Sequence, residues 1–164
     1  AHTYKVCALP AEIDVTVDGV AGSATGGGSL DFTLGYPPRR TIWNWASLHG
    51  TTSDGRTVGL NLVGQFMNGQ ENGLWIDDEL IALPQAVFEY DANQPLSPWR
   101  IRTLDGTVDL EFIAEGRRSQ NLRAGVMASV FSQPFGRFTG VIRHRGEELQ
   151  LTALGVVEEH DATW

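Results

Sequence analysis

The chain has 164 residues, a formal net charge of -8 and one cysteine. This length fits a single domain with its own hydrophobic core. The acidic balance argues against nucleic acid or an anionic membrane as a partner, because both need a basic footprint. Cys7 cannot form an internal disulfide, so the cytoplasm is the default location. No apolar run approaches the ~20 residues that span a bilayer, and residues 1–10 lack the pattern of a signal peptide.

The first predicted strand covers residues 13–17, where Ile13, Val15 and Val17 alternate with polar residues before a turn at Asp18-Gly19. This alternation predicts a half-buried strand. Residues 21–29 are rich in glycine and have no helical period. No Lys-Ser/Thr pair follows them, so we expect a linker or lid and not a phosphate-binding loop.

The most unusual stretch is 31–46, which contains two prolines, two arginines and two tryptophans. Proline lacks an N–H donor, so Pro37-Pro38 is expected in a loop that carries Arg39 and Arg40 to the mouth of a strand. Alternation along that strand predicts two faces. One face holds Trp43, Trp45 and Ser47, and the other holds Ile42, Asn44 and Ala46. Two interpretations stay open: a binding rim, or a tryptophan core with two solvated arginines.

Three hairpin turns predict the pairing of the strands around them. A two-residue turn at Asp54-Gly55 gives the pairs Trp43 with Phe66, Trp45 with Gly64 and Asn44 with Gln65. A turn at Asp105-Gly106 gives Trp99 with Phe112, Ile101 with Leu110, Arg100 with Glu111 and Arg102 with Asp109. A turn at Arg145-Gly146 gives Ile142 with Leu149, Arg143 with Glu148 and His144 with Glu147. The arginine and acid pairs are typical of a solvated outer face.

The other segments complete an all-β pattern. A strand at 71–76 is expected to turn at Asp77-Asp78 and return to Leu83, and residues 86–90 alternate before a loop at 91–98. Residues 115–124 are predicted as a loop or short helix, and 133–137 as a sharp bend. About ten short strands with little helix indicate an antiparallel barrel or sandwich.

No standard catalytic or metal-binding pattern is evident. The four histidines lie on separate hairpins without ligand spacing, so no metal is expected. Ser129 and Ser132 lack a Gly-x-Ser-x-Gly elbow, and Cys7 has no recognisable base. Adjacent Glu158 and Glu159 point to opposite faces of a strand. An aromatic-lined barrel with a few polar groups, and no cofactor, favours a pocket for an apolar small molecule.

Several segments spread over the chain resemble a bacterial and fungal family known only as a domain of unknown function, related to the lipocalin-like AttH and carotenoid hydratase proteins. They are residues 35–46 (GYPPRRTIWNWA), 59–62 (GLNL), 71–75 (ENGLW), 132–137 (SQPFGR) and 158–164 (EEHDATW). The resemblance implies a calycin-type barrel. It also implies one lipocalin-like domain over residues 1–164, the second half of a larger protein, with a preceding β-rich domain or a second chain as a partner.

Related hydratases are thought to protonate an isoprenoid double bond with a carboxylic acid. The resemblance therefore implies Glu71, Asp31 and Glu158 as candidate acids, with Trp43, Trp45 and Trp75 facing a developing carbocation.

Three hypotheses follow from these observations. The first is a binding domain for a lipophilic small molecule. The second is a cofactor-free hydratase, cyclase or isomerase of an isoprenoid or polyene-like substrate. The third is a structural half-domain without its own site. Our predicted catalytic residue is Glu71, and the predicted ligand-binding residues are Arg39, Arg40, Trp43, Asn44, Trp45, Asn61, Asn72 and Trp75.

Overall fold

The computed structural model describes residues 2–77 and 79–164, and the chain folds almost entirely into strands. The strands are β1 (His2–Val17), β2 (Val20–Leu34), β3 (Arg40–Thr52), β4 (Thr57–Gly64), β5 (Gly73–Ile76), β6 (Glu79–Ala82), β7 (Ala86–Glu89), β8 (Trp99–Thr103), β9 (Val108–Ala124), β10 (Met127–His144) and β11 (Glu147–Thr163). A 3-10 turn covers Met67–Gly69. No helix within the described ranges has the length and apolar character needed to cross a bilayer. Of the predicted Asp77-Asp78 turn, Asp78 lies outside the described residues.

All strand pairs are antiparallel and form two sheets. Strands β1 and β2 form a separate hairpin, and the other nine strands follow the order β6-β5-β4-β3-β11-β10-β9-β8-β7. The large sheet curls so that β7 contacts β4, where the ring of Phe88 lies 3.0 Å from the position of a Cβ on Gly64. The predicted all-β, antiparallel, lipocalin-like fold is therefore confirmed. Side-chain contact between β4 and β7 brings the two flanks of the curled sheet together.

The inside of the curled sheet is filled by apolar side chains. Trp99, Phe112 and Phe138 are fully buried there with leucine, isoleucine and valine residues of six strands. On β3, Ala46 and Leu48 belong to this core, whereas Trp43 and Trp45 point to the opposite, outer face because strand side chains alternate. The interpretation of these two tryptophans as the core is wrong. Apolar side chains pack inside the curled sheet, and the aromatic cavity described below lies on its outer face.

Two of the three predicted hairpin registers are confirmed, and one is wrong by one residue. Around Asp105-Gly106 and Arg145-Gly146, all the predicted pairs form. The third hairpin instead pairs Trp45 with Val63, and Asn44 with Gly64. The reason is that its loop has three residues: the Thr52 N–H donates to the Arg56 carbonyl, and Gly55 adopts φ +91. A three-residue loop that ends on a left-handed glycine shifts the pairing by one position.

Three further segments differ from prediction because long strands continue through them. Residues 21–29 are no linker, since they pair with β1 along β2. Residues 115–124 are no loop or helix, since they pair with β10 along β9. At 133–137 the strand also continues, and the irregularity is a bulge at Glu115, which lies unpaired between the pairs Gly136–Ala114 and Phe135–Gly116. In each case ladder hydrogen bonds outweigh unfavourable local composition.

The half of the β1–β2 hairpin away from its turn packs across the outer face of β3 and β4. A Cβ on Gly27 would lie 2.0 Å from Cγ of His49, so glycine is needed where this backbone meets the imidazole. On the other strand, Cys7 is buried against Gly59, and burial raises the pKa of its thiol. Ile13, Val15 and Val17 lie beyond this contact and are 57%, 46% and 61% exposed, so the predicted buried face is wrong.

Candidate functional site

A cavity of ≈ 770 Å³ lies between the β1–β2 hairpin and the outer face of the large sheet. Its floor is made by β3, β4 and β11, and its roof by the hairpin and the loop that follows β2. Aromatic rings form much of the wall: Tyr36, Trp43, Trp45, Phe66 and Trp164. The charged side chains on the lining are Lys5, Asp31, Glu71 and Glu158, one basic against three acidic, for a formal net charge of -2. The cavity is therefore aromatic, with two distinct polar positions.

The first polar position is an ion-pair cluster that joins the hairpin to the sheet. Lys5 Nζ lies 2.7 Å from Asp31 Oδ2 and 3.0 Å from Glu71 Oε2. The Lys5 side chain is 11% exposed and that of Glu71 only 4%. A cation held between two carboxylates at this depth needs both pairs, because an unpaired buried charge is costly. The cluster therefore ties β1 and β2 to the segment before β5.

One oxygen of this cluster is left without a partner. Glu71 Oε1 is buried, and no described residue offers it a hydrogen bond. A carboxylate oxygen removed from water without a donor costs free energy. Glu71 lies on the cavity lining, so the side chain that carries this unpartnered oxygen borders the cavity.

The second polar position is Glu158, whose two oxygens are both engaged. Its Oε1 accepts a hydrogen bond from Trp43 Nε1 at 3.0 Å, and its Oε2 accepts one from Gln133 Nε2 at 2.8 Å. The ring of His160 lies 4.1 Å from that of Trp43, and its Nδ1 is 3.3 Å from Glu158 Oε1. Glu158 thus fixes the orientation of Trp43 and has less capacity than Glu71 to meet a ligand.

His160 links this carboxylate to a serine on the next strand. Its Nε2 lies 3.0 Å from Ser129 Oγ, which gives the order hydroxyl, imidazole, carboxylate known from nucleophilic enzymes. Ser129 does not line the cavity. The serine also sits within a continuous ladder on β10, where neighbouring N–H groups bond to adjacent strands and do not form an oxyanion hole. We therefore assign this chain of hydrogen bonds to holding Glu158 and Trp43 in place.

Asn61, outside the cavity, links an aromatic ring of the wall to the backbone of the Lys5–Asp31–Glu71 cluster. Its Oδ1 accepts a hydrogen bond from Trp45 Nε1 at 2.8 Å, and its Nδ2 donates to the backbone carbonyl of Glu71 at 2.8 Å. Asn61 is buried and lies outside the cavity lining. This amide therefore fixes one indole and the backbone that carries the carboxylate.

The structure brings together some of the predicted site residues and places the others elsewhere. Trp43, Trp45 and Glu71 line the cavity, with the candidate acids Asp31 and Glu158. Asn61, described above, lies behind the lining, and five other predicted binding residues also lie away from it: Arg39, Arg40, Asn44, Asn72 and Trp75.

Those five have other partners or positions. Arg39 donates to the carbonyls of Trp164 and Val126, and Arg40 pairs with Asp161 on the surface. Asn44 donates to the phenol oxygen of Tyr90, Asn72 bonds to Val63 and Pro84, and Trp75 stands on β5 opposite Gly59.

The site residues absent from our prediction come from distant parts of the chain. Lys5 and Thr33 belong to the hairpin, Phe66 follows β4, and Trp164 ends the sequence. The i, i+2 spacing of Glu158 and His160 was the one local signal, since both point to the same face of a strand. Pairing between β3 and β11, which sets Trp43 against His160, has no such local signal.

Comparison with known proteins identifies the family. The whole chain, residues 1–164, matches the family described as Domain of unknown function (DUF2804), and the chain belongs to it. No curated protein matches the sequence.

Two solved structures are similar to this chain. An AttH-assigned protein from Nitrosomonas europaea matches with a TM-score of 0.50 and 10% identity, over 77% of this chain and 52% of its own. Kievitone hydratase from Nectria haematococca matches with a TM-score of 0.49 and 20% identity, over 96% of this chain and 52% of its own. The chain thus spans about half the length of these structures, and the first match supports the fold alone.

Proposed function

We propose, for this member of a family without an assigned function, that the cavity beneath the β1–β2 hairpin binds a lipophilic small molecule. The observation that carries the proposal is the aromatic lining of a ≈ 770 Å³ space, with tryptophans at positions 43, 45 and 164. A concave site of this size, with mostly apolar walls and a few convergent polar groups, is typical of small-molecule binding.

The polar network around the wall supports binding by a pre-formed site. The indole N–H groups of Trp43 and Trp45 are both held, by Glu158 and Asn61 respectively. Their rings therefore have fixed orientations before a ligand arrives, which lowers the entropy lost on binding.

A fluorescent apolar probe tests the location. We expect the probe to bind the wild-type chain. Trp43→Ala should raise the dissociation constant of the probe by about tenfold or more, because an aromatic wall of the cavity is lost. Trp75→Ala is the matched control, since Trp75 is a half-buried tryptophan on the same sheet outside the lining. Equal affinities of the two variants would contradict the proposed location.

Native mass spectrometry, followed by solvent extraction, identifies what the purified chain retains. A lipophilic compound bound in a one-to-one ratio is the expected result. An empty chain that also fails to bind the probe would exclude a small-molecule site and favour the structural half-domain.

A cofactor-free hydratase or isomerase is the second candidate, favoured by the three carboxyl groups on the lining. Glu71 has one oxygen free of protein donors, which suits a group that exchanges a proton with a ligand. The faces of Trp43 and Trp45 would lie against a developing positive charge. Incubation of the chain with the extracted compound should then change the compound, by gain of one water or by isomerisation. Glu71→Gln should still bind it but leave it unchanged. Turnover by Glu71→Gln at the wild-type rate would exclude Glu71 as the acid.

We also propose that a preceding β-rich domain or a second chain covers the far end of the β1–β2 hairpin. Val15, Val17 and Val20 are exposed there beyond the contact with the sheet. Apolar side chains on a free ribbon favour association. The same native mass spectra report whether a second chain is bound, and a strictly monomeric chain would leave only the preceding domain as a candidate cover.

A further inference from the structure

From the unpartnered oxygen of Glu71 and its neighbour Lys5, we infer that the cavity takes a neutral ligand whose apolar body carries a hydroxyl group. The hydroxyl donates a hydrogen bond to Glu71 and accepts one from Lys5. This inference rests on the proposed function, because it names the chemical class of the ligand for the same cavity.

The first step is the count of donors and acceptors at the cluster. An ammonium group has three N–H donors. Lys5 Nζ contacts Asp31 and Glu71, and no third acceptor for it is found among residues 2–77 and 79–164. Glu71 Oε1 is a buried acceptor without a donor in the same part of the chain. The cluster thus leaves one donor and one acceptor unsatisfied on neighbouring groups.

The second step is the choice of a group that satisfies both. A hydroxyl donates one hydrogen bond and accepts others, whereas an ether only accepts and an ammonium only donates. An ammonium placed at Glu71 would also lie close to the charged Lys5. A carboxylate would enter a cavity whose lining already has a formal net charge of -2. Among these groups, the neutral hydroxyl is the one that satisfies both the donor and the acceptor.

The third step concerns the remainder of the ligand. Away from the cluster, the largest apolar side chains of the wall are Trp43, Trp45, Val63, Phe66 and Trp164, and Glu158 is the charged group among them. These side chains favour a planar apolar body, since aromatic rings stack in offset or edge-to-face arrangements. A ring compound with one hydroxyl satisfies both parts of the cavity.

A panel of four probes with the same ring system tests the inference: naphthol, methoxynaphthalene, naphthoate and naphthylmethylammonium, each titrated by calorimetry into the wild-type chain. We expect naphthol to bind about tenfold more tightly than methoxynaphthalene, because a hydrogen bond to a charged acceptor is among the strong ones. The anion and the cation should both bind more weakly than naphthol.

Two variants then test whether Glu71 causes the preference for naphthol over methoxynaphthalene. In Glu71→Gln, the amide oxygen should turn to Lys5 and its NH₂ group should replace the acceptor, so the preference for naphthol over methoxynaphthalene should fall to near unity. Glu12→Gln removes one charge from an exposed position on β1, the strand that carries Lys5, and should keep the preference. The wild-type panel decides the question even if Glu71→Gln fails to fold.

The outcomes separate this inference from the proposed function. Equal binding of naphthol and methoxynaphthalene, or tighter binding of the ammonium or the anion, would overturn the hydroxyl while the lipophilic site stands. A preference for naphthol that survives in Glu71→Gln would overturn the role of Glu71. No binding of any probe would overturn both the inference and the proposed function.

Discussion

Trp99→Ala should lower the free energy of unfolding by about 3–5 kcal/mol, the range for loss of a large buried aromatic side chain. Trp99 is fully buried, its ring stacks on Tyr90 at 3.6 Å with an interplanar angle of 2°, and its Nε1 donates to the Pro95 carbonyl at 3.0 Å. Removal of the indole leaves a void among the buried side chains inside the curled sheet. Urea denaturation of the variant and the wild type measures this difference.

Trp43→Ala is the comparison, because the structure places Trp43 on the outer face. It should cost about 1–2 kcal/mol, since its half-buried ring and one hydrogen bond are lost without a cavity in the core. The two variants remove the same side chain, so the difference between them measures position alone. A loss at Trp43 equal to that at Trp99 would place Trp43 in the core and contradict the described faces of β3.

Lys5→Met should destabilise the chain by about 3–5 kcal/mol, because removal of one partner leaves buried negative charge uncompensated. The Glu71 side chain is 4% exposed and lies 3.0 Å from the lysine, and Asp31 lies 2.7 Å from it. The double variant Lys5→Met/Glu71→Gln should regain part of this loss, since the deeper carboxylate is then neutral. A double-mutant cycle by urea denaturation measures the coupling.

Arg40→Met is the control for this prediction. Arg40 and Asp161 form an exposed pair, with side chains 63% and 42% exposed, and such pairs contribute about 0–1 kcal/mol. If Lys5→Met proved as mild as Arg40→Met, the Lys5 cluster would not be a buried ion-pair network. The hairpin would then need another explanation for its docking.

Local patterns were sufficient to predict much of the fold. Turn chemistry at Asp105-Gly106 and Arg145-Gly146, together with period-two alternation, gave the correct pairs because each loop is centred on its dipeptide: residues 104–107 in one hairpin and 145–146 in the other. At Asp54-Gly55 the same dipeptide sits in a three-residue loop closed by the Thr52 and Arg56 backbone groups. The dipeptide alone does not show how many residues its loop contains.

Long-range pairing accounts for what local patterns could not predict. The glycine-rich residues 21–29 and the polar residues 115–124 are strands because a neighbouring strand completes their hydrogen bonds. The cavity unites Lys5 with Glu71 and Trp43 with Glu158, pairs that are 66 and 115 residues apart. Alternation correctly grouped Trp43 with Trp45 but did not say which face of the strand is inside.

The tryptophan side-chain signals in an NMR spectrum test the central claim most directly. The chain has five tryptophans, and an apolar probe titrated into ¹⁵N-labelled protein reports on each indole N–H. Our account predicts large shift changes at Trp43, Trp45 and Trp164, which line the cavity, and small ones at Trp75 and Trp99. Changes centred on Trp99, with Trp43 and Trp45 unaffected, would move the ligand into the barrel interior and contradict a site beneath the hairpin.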